Sequence, residues 1–245
     1  MLWLDGLLAH PTIGIQVIPS FKEIDLFKNG INSFIDYLVQ EYSGLDIEMT
    51  DIFGYTLQAK KAGHFFSLTN KNIAMGIGYF FEKKPQPGKL PRFQMPEVKS
   101  YSENFELLQQ HLDKLLTCLV ELNNFKFNRI GIVADANIDK ESLPPGVEKW
   151  IESLEKPLGN TLISSRTSLI SRISENDKVK DQCHHIIDFD DYRPELGVHL
   201  KLDWQRFFNI SEPLSHNTTL RLAQGCKEDA FDYFEKFAEG NLENG

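Results

Sequence analysis

The chain has 245 residues, 41% hydrophobic and 25% charged, the balance of a folded protein with a buried core rather than a disordered one. Its net charge of −9 makes nucleic acid an unfavourable non-specific ligand, because such binding needs Lys and Arg to displace counterions. Cys118, Cys183 and Cys226 are odd in number and form no CxxC pair, which argues against a secreted disulfide framework or a zinc knuckle. No run reaches the ~20 apolar residues of a membrane span. These readings predict a cytoplasmic protein with no membrane partner and no cofactor, and the 18 phenylalanines predict a Phe-rich core.

The start, Met1 to Ala9, is apolar but carries Asp5 and no basic residue, so it lacks the positive end of a signal peptide and reads as a docking segment or first strand. Thr12 to Ile18 alternates and is β-branched, as a strand requires. From Lys22 to Tyr42 the apolar residues Ile24, Phe27, Ile31, Phe34, Ile35 and Leu38 follow a helical period, interrupted by Gly30 at a cost of roughly 1 kcal/mol. Four short strands follow, Asp46–Phe53, Tyr55–Lys61, His64–Thr69 and Ile73–Phe81, joined by turns short enough for an antiparallel meander. Gly76 and Gly78 in the last of them mark a bulge or close packing. Lys83 to Pro96 holds four prolines and reads as a loop.

Ser102 opens a helix to about Leu122, and Phe127–Asn137 is a strand. Pro144-Pro145-Gly146 precedes a short helix, Val147–Leu154, with Trp150 and Ile151 on one face. Thr161–Ile173 and Val179–Phe189 flank Asn176-Asp177 as a long hairpin, and Gly197–Trp204 is a further strand. Ser215 or Asn217 caps a final helix to about Ala238. The order strand, helix, strands, helix thus occurs in residues 1–123 and again in 124–245. This predicts an α+β fold, antiparallel sheets with helices on one face, with a tandem duplication or one compact domain as its two organisations.

The densest polar cluster is His184 to Asp191. On a strand, His184, Asp188 and Asp190 share one face with Gln182, and His185, Ile187 and Phe189 share the other. The first three are candidate metal ligands, against the plainer reading of a solvated strand face. Asp51, followed by Glu82 and Lys84, fits the acid and E-x-K arrangement of metal-dependent nucleases, in which carboxylates hold Mg²⁺ and Lys positions water. Lys83, Lys84, Lys89 and Arg92 with Phe93 form a basic, proline-stiffened segment that suits phosphates or an acidic partner. Lys126 and Arg129, interleaved with Phe125 and Phe127, form a second basic–aromatic group of the kind that binds single strands. The serines and Thr167 of the hairpin have no matched base and read as an exposed face. No nucleophile elbow, P-loop or HExxH motif is present.

The helix Ser102–Leu122, the Asn128-Arg129-Ile130-Gly131 strand behind it, the Ile187-Asp188-Phe189-Asp190 strand end and the closing helix with Phe231 to Phe237 have a recognisable order. In these parts the chain resembles a sporadically distributed family of uncharacterised bacterial proteins of about 250 residues, which tend to have a D-x-D at that strand end. Ala134-Asp135-Ala136 before Asn137 departs from the family pattern. The resemblance implies an intracellular bacterial protein encoded near mobile or defence genes, and it supplies no catalytic residues.

The function expected from these features is a non-enzymatic binding or adaptor protein that recognises a protein or peptide, as an accessory or sensor in bacterial antiviral defence. Two rivals are a metal-dependent hydrolase or nuclease and a carrier of a small apolar ligand in a Phe-lined cavity. A homodimer is compatible with all three.

Overall fold

The computed structural model describes residues 2–42, 44–51, 54–59, 63–78, 82–86, 89–94, 99–157, 164–190 and 197–241, with the backbone alone at 50–51, 82–86 and 89–94. Its centre is one antiparallel sheet of nine strands. They are β1 (His10–Ile18), β2 (Asp46–Asp51), β3 (Gly54–Ala59), β4 (His64–Thr69), β5 (Asn72–Ile77), β8 (Lys126–Ile138), β9 (Ser164–Glu175), β10 (Val179–Asp190) and β11 (Val198–Pro213). Across the sheet the order is β2-β3-β4-β5-β1-β8-β11-β10-β9. In each half the opening strand lies beside the last strand of its own meander, β1 beside β5 and β8 beside β11. The halves join where β1 pairs with β8 from His10↔Asp135 to Ile18↔Lys126, so the expected α+β architecture is built on one continuous sheet.

Alternation decides which face is covered. Pro11, Ile13, Ile15 and Val17 are buried on β1, as are Ile130, Ile132, Ala134 and Ala136 on β8 and Leu200, Leu202 and Trp204 on β11. Their neighbours in sequence face the other way and stay partly exposed. A Cβ added to Gly14, in the middle of that second face, would meet nothing within 4 Å. Four helices, α1 (Ile24–Glu41), α2 (Tyr101–Cys118), α3 (Pro145–Glu155) and α4 (His216–Glu239), supply the cover on the first face. α2 packs on β1 and β5, α4 packs on β8 and β11, α1 flanks α2, and α3 flanks α4.

The phenylalanines fill this interface as the composition predicts. Phe27, Phe34, Phe66, Phe105, Phe125, Phe127 and Phe234 are fully buried. Phe27 stacks on Phe125 at 5.0 Å, and Phe34 meets Phe66 edge-on at 5.9 Å. Burying Phe125 and Phe127 corrects one sequence expectation: rings inside the core cannot stack on a nucleic-acid base, so the Lys126–Arg129 group lacks its aromatic half. The N-terminal segment docks on the helices. Trp3 donates through its backbone N–H to Glu235 Oε1 at 2.7 Å and through its indole N–H to the Phe234 carbonyl at 2.9 Å.

Several elements differ from the sequence reading. Ser100, not Ser102, caps α2: its hydroxyl accepts from the Glu103 N–H, and the Glu103 carboxylate accepts from the Ser100 N–H at 2.9 Å, a reciprocal capping box. β11 continues past Trp204 to Pro213, with a register shift between Phe207 and Glu212. The proline-rich segment is not a loop. It holds β6 (Glu82–Gln86) and β7 (Lys89–Gln94), which among the described residues pair with each other alone. In a two-stranded ribbon every strand is an edge, so proline removes no necessary ladder bond, and Pro85 lies where the register shifts.

Candidate partner-binding groove

The sheet reaches farther than its helical cover. α4 lies over β8 and β11, while β9, the outermost strand, pairs among the described residues only with β10. Between β9 and α4 this leaves an open groove of about 1360 Å³. It exceeds the roughly 300–1,000 Å³ of a small-molecule cleft and suits a segment of a macromolecule.

The floor comes from the helix-facing residues of β9 and β10. Cys183 pairs with Ser171 and His185 with Leu169 across these strands. The His185 imidazole is buried and accepts or donates at Nε2 to the Tyr233 hydroxyl at 2.8 Å, which in turn lies 3.2 Å from Ser171 Oγ. Burial pushes the His185 pKa down to about 4 and that of Tyr233 up to about 12, so the chain of polar groups is neutral near pH 7. Trp150 of α3 and Phe237 of α4 pack on the imidazole at 5.3 Å and 5.2 Å between ring centres. Leu169 on β9 is 51% exposed and Ile173 is 36% exposed, an apolar lip with no helix above it.

One end of the groove is walled by charge. Arg206 bonds Asp181 through both Nε and Nη2, at 2.7 Å and 2.6 Å, and reaches Asp229 of α4 at 2.8 Å. Ser174 of β9 donates to Asp181 Oδ2 at 2.9 Å. The guanidinium also lies over the Trp204 ring, 5.1 Å from its centre. The arrangement offers apolar contact, a free strand edge and fixed hydrogen-bonding groups. Many of its ionisable groups are paired with one another, Arg206 with Asp181 and Asp229, Arg172 with Glu175 and Lys236 with Asp232.

The sequence-selected residues fall elsewhere. His184, Asp188 and Asp190 do share the face opposite the helices, with Gln182, as alternation predicts. His184 Nε2 is 2.7 Å from Ser168 Oγ, and Asp188 faces Arg166 at 3.8 Å. Among the described residues no group of three or more His, Cys, Asp or Glu stands close enough to hold a metal ion. Asp51 belongs to β2 at one edge of the large sheet, and Glu82 and Lys84 belong to the separate β6–β7 ribbon. Their side chains, and those of Lys83, Lys89, Arg92 and Phe93, lie outside the described residues. Of the many phenylalanines only Phe237 lines the groove.

On the same open face His199 Nε2 meets Asp135 Oδ1 at 2.9 Å, a contact that raises the His199 pKa. Sequence reasoning missed both this pair and the groove. Trp150, Leu169, His185, Arg206 and Tyr233 come from five elements. The one local sign was the β9 pattern, in which Ser165, Thr167 and Ser171 sit opposite Phe189, Ile187 and Cys183 of β10.

No family model matches the chain, and no curated protein matches it. Among solved structures it is similar to the rolling circle replication initiator protein from Geobacillus stearothermophilus, at 7% identity over 90% of this chain and 80% of that one. The TM-score of 0.26 is too low for that likeness to carry an argument about fold or activity.

Proposed function

We propose that this chain is a non-enzymatic binding or adaptor protein that takes an extended segment of a protein partner into the groove between β9 and α4. The observation that supports this reading is the uncovered strand β9. Among the described residues no strand pairs with its outer edge, and its Leu169 and Ile173 lead into a cleft lined by Trp150, His185 and Tyr233. A peptide added to such an edge gains main-chain hydrogen bonds, and alternate side chains fall into the cleft and give selectivity.

Selection of displayed peptides on the full chain, followed by calorimetry, tests the reading. The expected result is enrichment of peptides with an apolar side chain at alternate positions. Their affinity should fall about tenfold or more with Leu169→Asp or Trp150→Ala, since truncating a central anchor costs on the order of 2 kcal/mol. Leu169 is half exposed, so its variant tests binding without threatening the fold. Selections that enrich nothing, or binders indifferent to both substitutions, would overturn it.

A further inference from the structure

The two edges of the large sheet are built differently. β2 is six residues long and carries three carboxylates, Asp46, Glu48 and Asp51, on an edge that charge guards against pairing. β9 is twelve residues long, and Thr167-Ser168-Leu169-Ile170-Ser171 at its centre has neither charge nor proline. Apolar side chains project from both of its faces there: Leu169 towards the groove, and Ile170, 64% exposed, towards the face opposite the helices. A long edge whose central stretch is uncharged, with Arg166, Arg172 and Glu175 only towards its ends, is the kind that pairs with another strand.

We propose that the strand it pairs with is β9 of a second copy of this chain, antiparallel, with Ile170 facing Ile170 across a two-fold axis perpendicular to the sheet. The strand is complementary to itself in that register. Leu169 faces the second copy's Ser171, and Arg172 faces the second copy's Ser168, so no like charges are opposed. Sliding the centre to Leu169 would set Arg166 against Arg172, two like charges across the ladder. Sliding it to Ser171 would set Ile170 against Arg172.

The axis keeps both helical layers on the same side of the combined sheet. The two grooves then merge. Their floor is β10 and β9 of one copy followed by β9 and β10 of the other, and an α4 stands over β8 and β11 at each side. From β11 to β11 is five strand spacings, roughly 24 Å, and a helix diameter of roughly 10 Å leaves a trough about 14 Å wide. That is the width of one extended chain with its side chains, or of one helix. The second copy thus contributes Leu169 and Ile173 to the site. The pairing stands on the edge alone; the use of the trough rests on the groove reading above, with the second copy holding the β9 edge and a partner segment keeping only the side-chain contacts of the trough.

Sedimentation of the full chain over about a hundredfold concentration range tests the pairing. The expected result is a dimer of the 28.2 kDa chain. Ile170→Lys, which would oppose two ammonium groups at the axis, should weaken that dimer about tenfold or more while leaving the melting curve unchanged at concentrations too low for the dimer to form. Register is read separately with Ile170→Cys in a Cys118→Ser background, because Cys183 and Cys226 are buried. Directly opposed residues in a ladder have Cα atoms about 4.5–5.5 Å apart, within disulfide reach. Mild oxidation should therefore cross-link Ile170→Cys and leave Ser164→Cys without a covalent link between copies.

A monomer at the highest concentration, or a dimer indifferent to Ile170→Lys and not cross-linked at 170, would overturn the pairing. If the chain is monomeric yet selected peptides still need Leu169, the pairing falls and the groove reading survives. If the dimer forms as described but no peptide binds, the groove reading falls alone.

Discussion

Arg206 and Asp181 meet in a two-pronged ion pair, with hydrogen bonds of 2.7 Å and 2.6 Å, and both side chains are largely withdrawn from water, at 17% and 7% exposure. The contact raises the Arg206 pKa. A pair in this setting gains little over an apolar substitute, but removal of one member strands the other charge in a poorly solvated place. Arg206→Met should therefore cost about 3 to 5 kcal/mol, since Asp181 would keep only Ser174 as a donor among these partners. Asp181→Asn should cost less, because Arg206 retains Asp229. Urea titration of both variants checks this, and equal losses would show that Asp229 contributes nothing to holding Arg206.

Three buried histidines make the fold sensitive to mild acid. The Tyr42 hydroxyl stands between His64 Nδ1 at 2.9 Å and His111 Nε2 at 2.7 Å, donating its single proton to one ring and accepting an N–H from the other. Burial pushes His64, His111 and His185 down to about 4. In the unfolded chain each returns to about 6.5, so between those values the unfolded state binds more protons and stability falls as the pH drops. The loss from pH 7 to pH 5 amounts to up to about 2 kcal/mol for each histidine. Urea midpoints at pH 7, 6 and 5 should decline along this course, and a His64→Asn/His111→Asn double variant should have a flatter profile. An unchanged slope in that variant would place the acid sensitivity in other groups.

How much of this was legible beforehand depended on how local the signal was. The apolar period of α1, with Phe27, Ile31, Phe34 and Leu38 at its buried positions, named the helix and its inward face together. The alternation of β10 sorted His184 from His185 correctly, since two adjacent strand residues must face opposite ways. β11 was cut short at Trp204 because the period of two fails where its register shifts, near Phe207. The β6–β7 ribbon was hidden by Pro85 and Pro91, which forbid a central strand and permit an isolated ribbon. The groove was the least legible part. Trp150, His185 and Tyr233 are ordinary core candidates in sequence, and only the end of α4's coverage at β10 turns them into the lining of an open cleft.

Two helical glycines give opposite expectations for the same substitution, and the difference lies entirely in what surrounds them. By helix propensity alone, Gly→Ala inside a helix gains about 1 kcal/mol. Gly225 on α4 has nothing within 4 Å of the place a Cβ would occupy, so Gly225→Ala should gain about 0.5 to 1 kcal/mol. At Gly30 on α1 the same Cβ would lie 2.6 Å from Leu119 Cδ2 and 2.7 Å from the Cys118 carbonyl oxygen. The leucine can turn aside, but the carbonyl belongs to the C-terminal end of α2 and moves only with the helix. Gly30→Ala should therefore force α1 and α2 apart and cost about 1 to 3 kcal/mol net of its propensity gain. The apparent flaw in the α1 pattern is a point at which α1 closely approaches the end of α2. Thermal melts of the two variants side by side check the argument. A Gly30→Ala protein as stable as Gly225→Ala would mean that the α1–α2 contact yields at no cost, and that the glycine is tolerated there rather than required.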